Sequence, residues 1–319
     1  MNKFLLVLLL LFSSLYSNEP IQPLPKVIKY DKNKALLGKK LYFDPILSKD
    51  NTVSCSSCHN LELGGVDNLQ FSFGIDGQKG NINTPTVLNS IFNFRQMWDG
   101  RAKTLAHQVQ FPITNPVEMG NSFKNLIETL KKNSHYNKTF ISLYKDGITR
   151  ENIGDALEEF QKTLITPSPF DEYLRGNENA ITENQKKGYE LFNKKGCVSC
   201  HNGINIGGGL YAQFGLTDES IANDLIKQTT DSEVKGDHHP DFGLYNITKN
   251  DFDKFYFKVP TLRNVALTFP YLHNGRIKTL NETISSIAKA QLGLDLTENE
   301  TFLIEEFLKS LNGKVTIIK

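Results

Sequence analysis

Apolar residues recur along much of the chain at the spacing of three to four residues that is typical of amphipathic helices. One such stripe runs from Phe123 to Leu130, a second from Ile153 to Phe160 and a third from Ile304 to Leu311. A further short helix is expected at Lys34–Phe43. No segment shows the alternation of apolar and polar residues that is typical of a half-buried strand. The pattern therefore predicts an all-α fold.

Short sequence signals predict where several helices begin and end and where the chain divides into two domains. Three helices are expected to begin at capping boxes, in which a threonine is followed three residues later by glutamine or glutamate. The pairs are Thr182 with Gln185, Thr279 with Glu282 and Thr297 with Glu300. The proline-containing run Thr166–Phe170 should end a helix, and the polar run Arg175–Ala180 suits a domain boundary. We therefore predict an N-terminal domain at 18–177 and a C-terminal domain at 178–319.

The N-terminal segment Met1–Ser17 has the features of a secretory signal peptide. Lys3 precedes an apolar run from Phe4 to Phe12, which is too short to span a bilayer. Removing the segment takes one residue from the 36 basic ones and none from the 35 acidic ones, so the mature chain is neutral. A neutral chain without a basic run does not suit nucleic-acid binding. We expect a periplasmic protein with no membrane span after signal removal.

Two short runs contain all four cysteines of the chain. The first consists of Cys55, Cys58 and His59, and the second of Cys197, Cys200 and His201. Cys-x-x-Cys-His is the attachment signature of c-type haem, in which the thiols bond to haem vinyl groups and the histidine ligates the iron. Two disulfides or a four-cysteine zinc site are the alternatives, but neither accounts for the adjacent histidines. The sequence thus predicts two covalent c-type haems.

The two haem runs lie in a repeated context. Each follows a predicted helix that contains a glycine and an apolar pair, and each precedes an asparagine and paired glycines. The matching helix residues are Gly38, Leu41 and Tyr42 in the first half and Gly188, Leu191 and Phe192 in the second. The repeat distance is too long for a solenoid and suits two copies of a domain.

Several further motifs occur in a characteristic order. They are NTPTVLN at 83–89, WDGRA at 98–102, NPVEMG at 115–120, VPTLRNVALTFPYLHNGR at 259–276 and QLGLDL at 291–296. Through these motifs, essentially the whole mature chain closely resembles the bacterial di-haem cytochrome c peroxidases and their MauG-like relatives. The resemblance implies two cytochrome c-like domains, each with one covalently attached haem.

The resemblance also implies roles for single residues. The haem held by His59 would be the peroxidatic centre, and the haem held by His201 would receive electrons. The remaining matches are Glu118 with the distal glutamate, Gln108 with the distal glutamine, Trp98 with the tryptophan between the haems, and Asn83, Thr268 and Pro270 with the residues around an interdomain calcium ion. Thr268 and Pro270 would bind through backbone carbonyls, and oxygen ligands of this kind suit calcium.

Simpler interpretations of these residues stand beside the functional ones. Glu118 alone is compatible with a surface loop, Trp98 with a core aromatic, and Asn83 with a turn before a proline. A positioned carboxylate can nevertheless move the proton that splitting of peroxide requires. The other histidines, namely His107, His135, His238 and His239, are expected at the surface or in ordinary packing, and no ligand role follows for His273.

Two positions depart from the family pattern. Where many relatives place a removable distal histidine, this chain has Ile75, so we expect an N-terminal haem that lacks a sixth ligand and needs no reductive activation. Where family peroxidases usually place a methionine ligand of the C-terminal haem, and MauG-like enzymes a tyrosine, this chain has Ile287. Either another group ligates that iron or it is five-coordinate, and its reduction potential should be lower than usual.

The leading hypothesis is a periplasmic peroxidase that reduces hydrogen peroxide with electrons from a small donor such as a monohaem cytochrome c. One alternative is a MauG-like oxidase that acts on a protein substrate. The other is a non-enzymatic di-haem electron carrier. The sequence leaves the donor and the oligomeric state open, and a homodimer is one compatible assembly.

Overall fold

The computed structural model describes residues 19–217 and 242–319. The predicted signal peptide at 1–17 and the histidines His238 and His239 lie outside these residues. The helices are α1 (Lys32–Phe43), α2 (Cys55–Cys58), α3 (Leu105–Gln108), α4 (Gln110–Thr114), α5 (Phe123–Lys132), α6 (Ser134–Leu143), α7 (Arg150–Lys162), α8 (Pro169–Leu174), α9 (Glu183–Lys194), α10 (Tyr245–Thr248), α11 (Leu280–Leu292) and α12 (Glu298–Lys309). None of these helices is long and apolar enough to cross a membrane.

The predicted amphipathic stripes are the buried faces of α5, α7 and α12. Leu126 and Leu130 of α5 are fully buried, as are Ile153 and Phe160 of α7. Two of the three predicted capping boxes are complete in the structure. Those at Thr182 and Thr297 form both reciprocal hydrogen bonds, whereas Thr279 accepts only the bond from the Glu282 N–H. Local sequence therefore determines where these helices begin and which face they bury.

One small sheet in the described part of the chain was not expected from the pattern. Strand β1 (Tyr211–Gln213) pairs antiparallel with β2 (Tyr256–Lys258), so that Tyr211 lies opposite Lys258. Strands of three residues are too short to show the alternation by which strands are recognised in a sequence. The mostly helical structure is consistent with the all-α prediction, and this small sheet is an addition to it.

The internal repeat is visible in two matching helix pairs. Helix α1 packs on α7 at Gly38, and α9 packs on α12 at Gly188. A Cβ atom at Gly38 would lie 1.8 Å from the Ala156 carbonyl oxygen, and one at Gly188 would lie 2.0 Å from that of Leu303. Because glycine has no Cβ, each helix can lie directly against its partner. In both halves the glycine-containing helix is the one that leads into the haem run.

Two buried apolar clusters form the core of the part of the chain that the structure describes. The first is built mainly from α1, α5, α6 and α7, and the second from α8, α9, α11 and α12. Segments near the two ends of the chain each pack on the cluster of the other half. Ile21 lies in the second cluster, whereas Val315 and Ile317 pack on the first. The domain boundary at 177/178 stays a prediction.

Candidate active site

One cavity of about 880 Å³ is lined by both Cys-x-x-Cys-His runs. All four cysteine thiols are free, which is the state that thioether attachment requires. Burial raises the pKa of Cys55 to about 12 and that of Cys197 to about 11. The two runs, which are far apart in the sequence, therefore open onto a common space.

The two histidines are held in the orientation that a metal ligand needs. His59 Nδ1 lies 3.2 Å from the Gly65 carbonyl oxygen, and His201 Nδ1 lies 3.3 Å from that of Ile206. A proton on Nδ1 that is donated to a carbonyl leaves Nε2 available to a metal. Burial lowers the pKa of both imidazoles, that of His201 to about 4, which favours the neutral ligating form. Free thiols, cavity and imidazole orientation all fit a haem at each run.

Helix α1 also fixes the N-terminal run directly. The short helix α2 begins with a capping box between Ser54 and Ser57. The carbonyl oxygen of His59, at the end of α2, accepts a hydrogen bond from the Tyr42 hydroxyl at 2.5 Å. Tyr42 belongs to the apolar pair that the sequence repeat identifies. This position in the repeat therefore anchors the backbone of the haem-binding histidine.

Glu118 lines the cavity and is partly buried. Its Oε1 accepts a hydrogen bond from Asn115 Nδ2 at 2.7 Å, and Asn115 Oδ1 in turn accepts one from the Val117 N–H at 3.1 Å. Burial raises the pKa of Glu118, while the Asn115 hydrogen bond and the Arg101 charge act in the opposite direction. The carboxyl group is thus oriented by its own loop and faces the haem runs.

Glu118 belongs to the N-terminal run rather than to the C-terminal one. Burial raises the pKa of Cys58 to about 11, and the negative charges of Asp67 and Glu118 contribute to this rise. An electrostatic effect of this kind requires proximity. The structure therefore places the predicted distal carboxyl group near the run that contains Cys58 and His59.

Trp98 and Gln108 also line the cavity. Trp98 Nε1 donates to the Asn83 carbonyl oxygen at 2.9 Å, and its indole ring meets the imidazole of His273 edge to face at 6.3 Å. Gln108 ends helix α3. Its neighbour His107 is not part of the cavity wall and accepts a hydrogen bond from the Lys103 N–H at 3.2 Å.

The three predicted calcium residues also line the cavity. Asn83 is buried, and its side-chain amide donates to the carbonyl oxygens of Leu69 and Gln70 at 3.0 and 3.3 Å. Pro270 forms a cis peptide bond with Phe269, the residue that follows Thr268. Among the residues that the structure describes, no cluster of three or more histidine, cysteine or carboxylate side chains could hold a metal ion. A calcium ion bound by carbonyl and amide oxygens stays a prediction.

The two departures from the family pattern occupy different environments. Ile75 is buried outside the cavity wall, and a Cβ atom at Gly120 would lie 2.2 Å from its Cδ1. Ile287 lines the cavity together with Ile284. Gln291, one turn further along α11, uses its side chain to bond the backbone at Gln213, Gly215 and Leu216.

Sequence reasoning missed three residues of the site. Arg101 forms an ion pair with Asp99 at 2.8 Å and lowers the pKa of Glu118. Asn115 orients Glu118, and Lys258 is buried in the cavity wall. Arg101 and Asn115 lie inside the motifs at 98–102 and 115–120, so these motifs could have identified them as site residues. Lys258 directly precedes such a motif and offers no comparable signal.

Comparison with known proteins places the chain in a family. A model of the di-haem cytochrome c peroxidase family matches residues 32–179. Cytochrome c peroxidase Ccp of Escherichia coli K12 is 45% identical over 94% of this chain, which spans 63% of the length of that relative. Cytochrome c551 peroxidase of Nitrosomonas europaea is 41% identical over 93% of this chain and 85% of the relative. The methylamine utilization protein MauG of Methylorubrum extorquens is 33% identical, with 93% and 83% covered.

Solved structures agree with this assignment. A MauG-like protein associated with microbial copper homeostasis superimposes with a TM-score of 0.75 and 26% identity, over 94% of this chain and 95% of that one. The fold and the site define a haem protein with two attachment runs on one cavity. The chain belongs to the di-haem cytochrome c peroxidase family.

Proposed function

We propose that this chain is a periplasmic peroxidase that reduces hydrogen peroxide to water with electrons from a small c-type cytochrome or similar carrier. The observation that carries the proposal is that one cavity brings Glu118 together with both haem runs. An electron carrier has no use for an oriented carboxyl group with a raised pKa, whereas such groups are typical of catalytic sites.

Haem bound through His59 would supply the iron at which the oxygen–oxygen bond of peroxide is broken. Forming two water molecules takes two electrons and two protons, and one proton must pass from one peroxide oxygen to the other. Glu118 can accept that proton and return it. Burial raises the pKa of its carboxyl group, and the Asn115 hydrogen bond and the Arg101 charge oppose this rise. The residues around Glu118 thus maintain a group that can act as both base and acid.

Gln108 and Trp98 have supporting roles in this proposal. The Gln108 amide lines the cavity and offers both a donor and an acceptor that can orient peroxide. Trp98 is fixed by its hydrogen bond to Asn83 and presents an aromatic ring to the space that both runs share. We assign Trp98 to the path of electrons from the haem at His201 to the haem at His59.

The proposal also includes a bound calcium ion, a periplasmic location, a small donor protein and a homodimer. Asn83 links the calcium ion to catalysis, because its carbonyl oxygen accepts the hydrogen bond from Trp98 while its side chain lies in the candidate calcium site. Loss of calcium should therefore disturb Trp98 and slow electron transfer between the haems.

The proposal is tested with the exported holoprotein. Intact mass should exceed that of the polypeptide by two haem masses, and reduced cytochrome c should be oxidised on addition of hydrogen peroxide. Two attached haems without peroxide turnover would favour the electron carrier. A mass that corresponds to one haem, or to zinc, would refute the assignment of the two runs.

A further inference from the structure

Lys258 is a cation in the wall of the cavity whose charge the described residues do not balance. It ends strand β2 and has only 6% of its surface exposed. Within residues 19–217 and 242–319, no hydrogen bond or ion pair reaches its ammonium group. Burial lowers the pKa of Lys258 to about 8, and no neighbouring carboxylate opposes this effect. A cation in a buried residue is unfavourable unless a negative group accompanies it.

The acidic side chains of the cavity wall already have other partners. Among the described residues that line the cavity, the carboxylates are Asp99 and Glu118. Asp99 pairs with Arg101 at 2.8 Å, and Glu118 accepts the hydrogen bond from Asn115 at 2.7 Å. The partner of Lys258 should therefore arrive with whatever occupies the cavity.

The backbone places Lys258 at the C-terminal haem site. The segment that follows it lies along the loop after His201, because the Gly208 N–H donates to the Val259 carbonyl oxygen at 2.7 Å. A Cβ atom at Gly207 would lie 2.1 Å from the Pro260 carbonyl oxygen and 3.3 Å from His201 Nδ1. On its other side, Lys258 donates its backbone N–H to the Trp98 carbonyl oxygen at 2.9 Å. Lys258 thus lies between the His201 loop and Trp98.

We propose that Lys258 binds a propionate of the haem that His201 holds and so raises the reduction potential of that haem. The inference rests on the proposed two-haem function. Each haem carries two propionate carboxylates, which have the charge that the cavity wall lacks at this point. Reduction removes one positive charge from the iron, and a neighbouring cation favours that change while an uncompensated propionate opposes it. Lys258 is in this sense a positioning residue that acts through the haem.

The test compares Lys258→Gln with Lys258→Arg by spectroelectrochemical titration of the holoprotein, with the two haems followed separately. Lys258→Gln should lower the reduction equilibrium constant of the C-terminal haem at least tenfold, which is about 59 mV for one electron. Lys258→Arg, which keeps the positive charge, should keep the reduction potential of the C-terminal haem close to the wild-type value. Lys254→Gln is the matched control, because Lys254 is a partly exposed residue of the same segment that pairs with Asp251 at 2.6 Å.

The remaining outcomes of this experiment also distinguish between support and refutation of the propionate contact. Unchanged potentials, a shift confined to the N-terminal haem, or a change of coordination that identifies Lys258 as an iron ligand would each overturn the proposal. Loss of the C-terminal haem from Lys258→Gln but not from Lys258→Arg would support it, whereas loss from both would indicate a steric role and overturn it. Haem content of the wild type separates these results from failure of the proposed function, which would appear as a missing second haem before any substitution.

Discussion

Ile75 donates its backbone N–H to the carbonyl oxygen of Glu118 at 2.8 Å. The loop that would carry a distal histidine in many relatives is thereby joined to the loop that carries Glu118, the proposed catalytic residue. The contact is close, because a Cβ atom at the neighbouring Gly74 would lie 2.0 Å from the Val117 carbonyl oxygen. The Ile75 side chain turns into the first apolar cluster rather than into the cavity. Residue 75 is thus a structural support for Glu118.

The first prediction follows from this arrangement. Because Ile75 is packed away from the cavity and has no lone pair, it cannot ligate the iron of a haem at His59. The N-terminal haem of the fully oxidised protein should be high-spin and open to peroxide. Mixing the oxidised protein with hydrogen peroxide, without reductant, should change the haem spectrum rapidly. A low-spin N-terminal haem that stays inert until the protein is half-reduced would show that another residue closes the site.

The second prediction concerns the activity of Glu118. Glu118→Gln keeps the shape and the acceptor for Asn115 but removes the group that moves the proton. Both haems should remain attached, and peroxide turnover should fall by about 10²–10⁴-fold, the usual value of general acid–base catalysis. Glu128→Gln on the exposed face of α5 is the control. Near-normal turnover of Glu118→Gln would remove Glu118 from the mechanism.

The same substitution should stabilise the fold at neutral pH. Burial raises the pKa of Glu118 in the folded protein above its ordinary value of 4.5. The wild type therefore loses stability as the pH rises from about 4.5 through the folded-state pKa, because the unfolded chain ionises more readily. Glu118→Gln lacks this loss. Urea unfolding should show a stability advantage of the variant that is absent below pH 4.5 and grows as the pH rises, and a constant difference would contradict the assigned cause.

Features that depend on neighbouring residues in the sequence were predictable. The haem runs are contiguous because both thiols and the histidine must reach one haem, and the capping boxes at Thr182 and Thr297 satisfy backbone groups three residues away. The buried stripe of α7 follows from helical spacing alone. The family resemblance supplied Glu118, Gln108 and Trp98, and the structure brings these residues to one cavity.

Features that depend on distant contacts were not predictable. The sequence shows an isoleucine at position 75, but its direction is set by contacts with the loop at 118–120. The three-residue strands are defined by pairing across the chain rather than by their own pattern. Lys258 looks like any lysine near a strand until the structure shows that it is buried without a partner among the described residues.

A fourth prediction tests the two glycine contacts that define the repeat. Gly38→Ala and Gly188→Ala each place a Cβ atom about 2 Å from a backbone carbonyl oxygen, at 1.8 and 2.0 Å respectively. Overpacking of this kind costs about 1–3 kcal/mol or more. Thermal unfolding should shift downward by roughly 2–4 °C for each kcal/mol. Gly209→Ala is the control, because a Cβ atom there would meet no atom within 4 Å. Equal melting temperatures for all three variants would refute the close approach of the helices.

The last prediction concerns Ile287, which lines the cavity where the family usually places a methionine ligand. The nearby Gln291 cannot replace that ligand easily, since both ends of its side-chain amide bond the backbone between Gln213 and Leu216. We expect the wild-type C-terminal haem to have a low potential because thioether ligation, which raises it, is absent. Ile287→Met should introduce that ligation and raise the potential by about 59 mV or more, a tenfold change in the reduction equilibrium. Ile287→Leu, which has similar volume and no sulfur, should leave the potential near that of the wild type. If Ile287→Met changes neither the potential nor the spectrum of the C-terminal haem, then the side chain at 287 does not face the iron and the position does not correspond to the family's ligand.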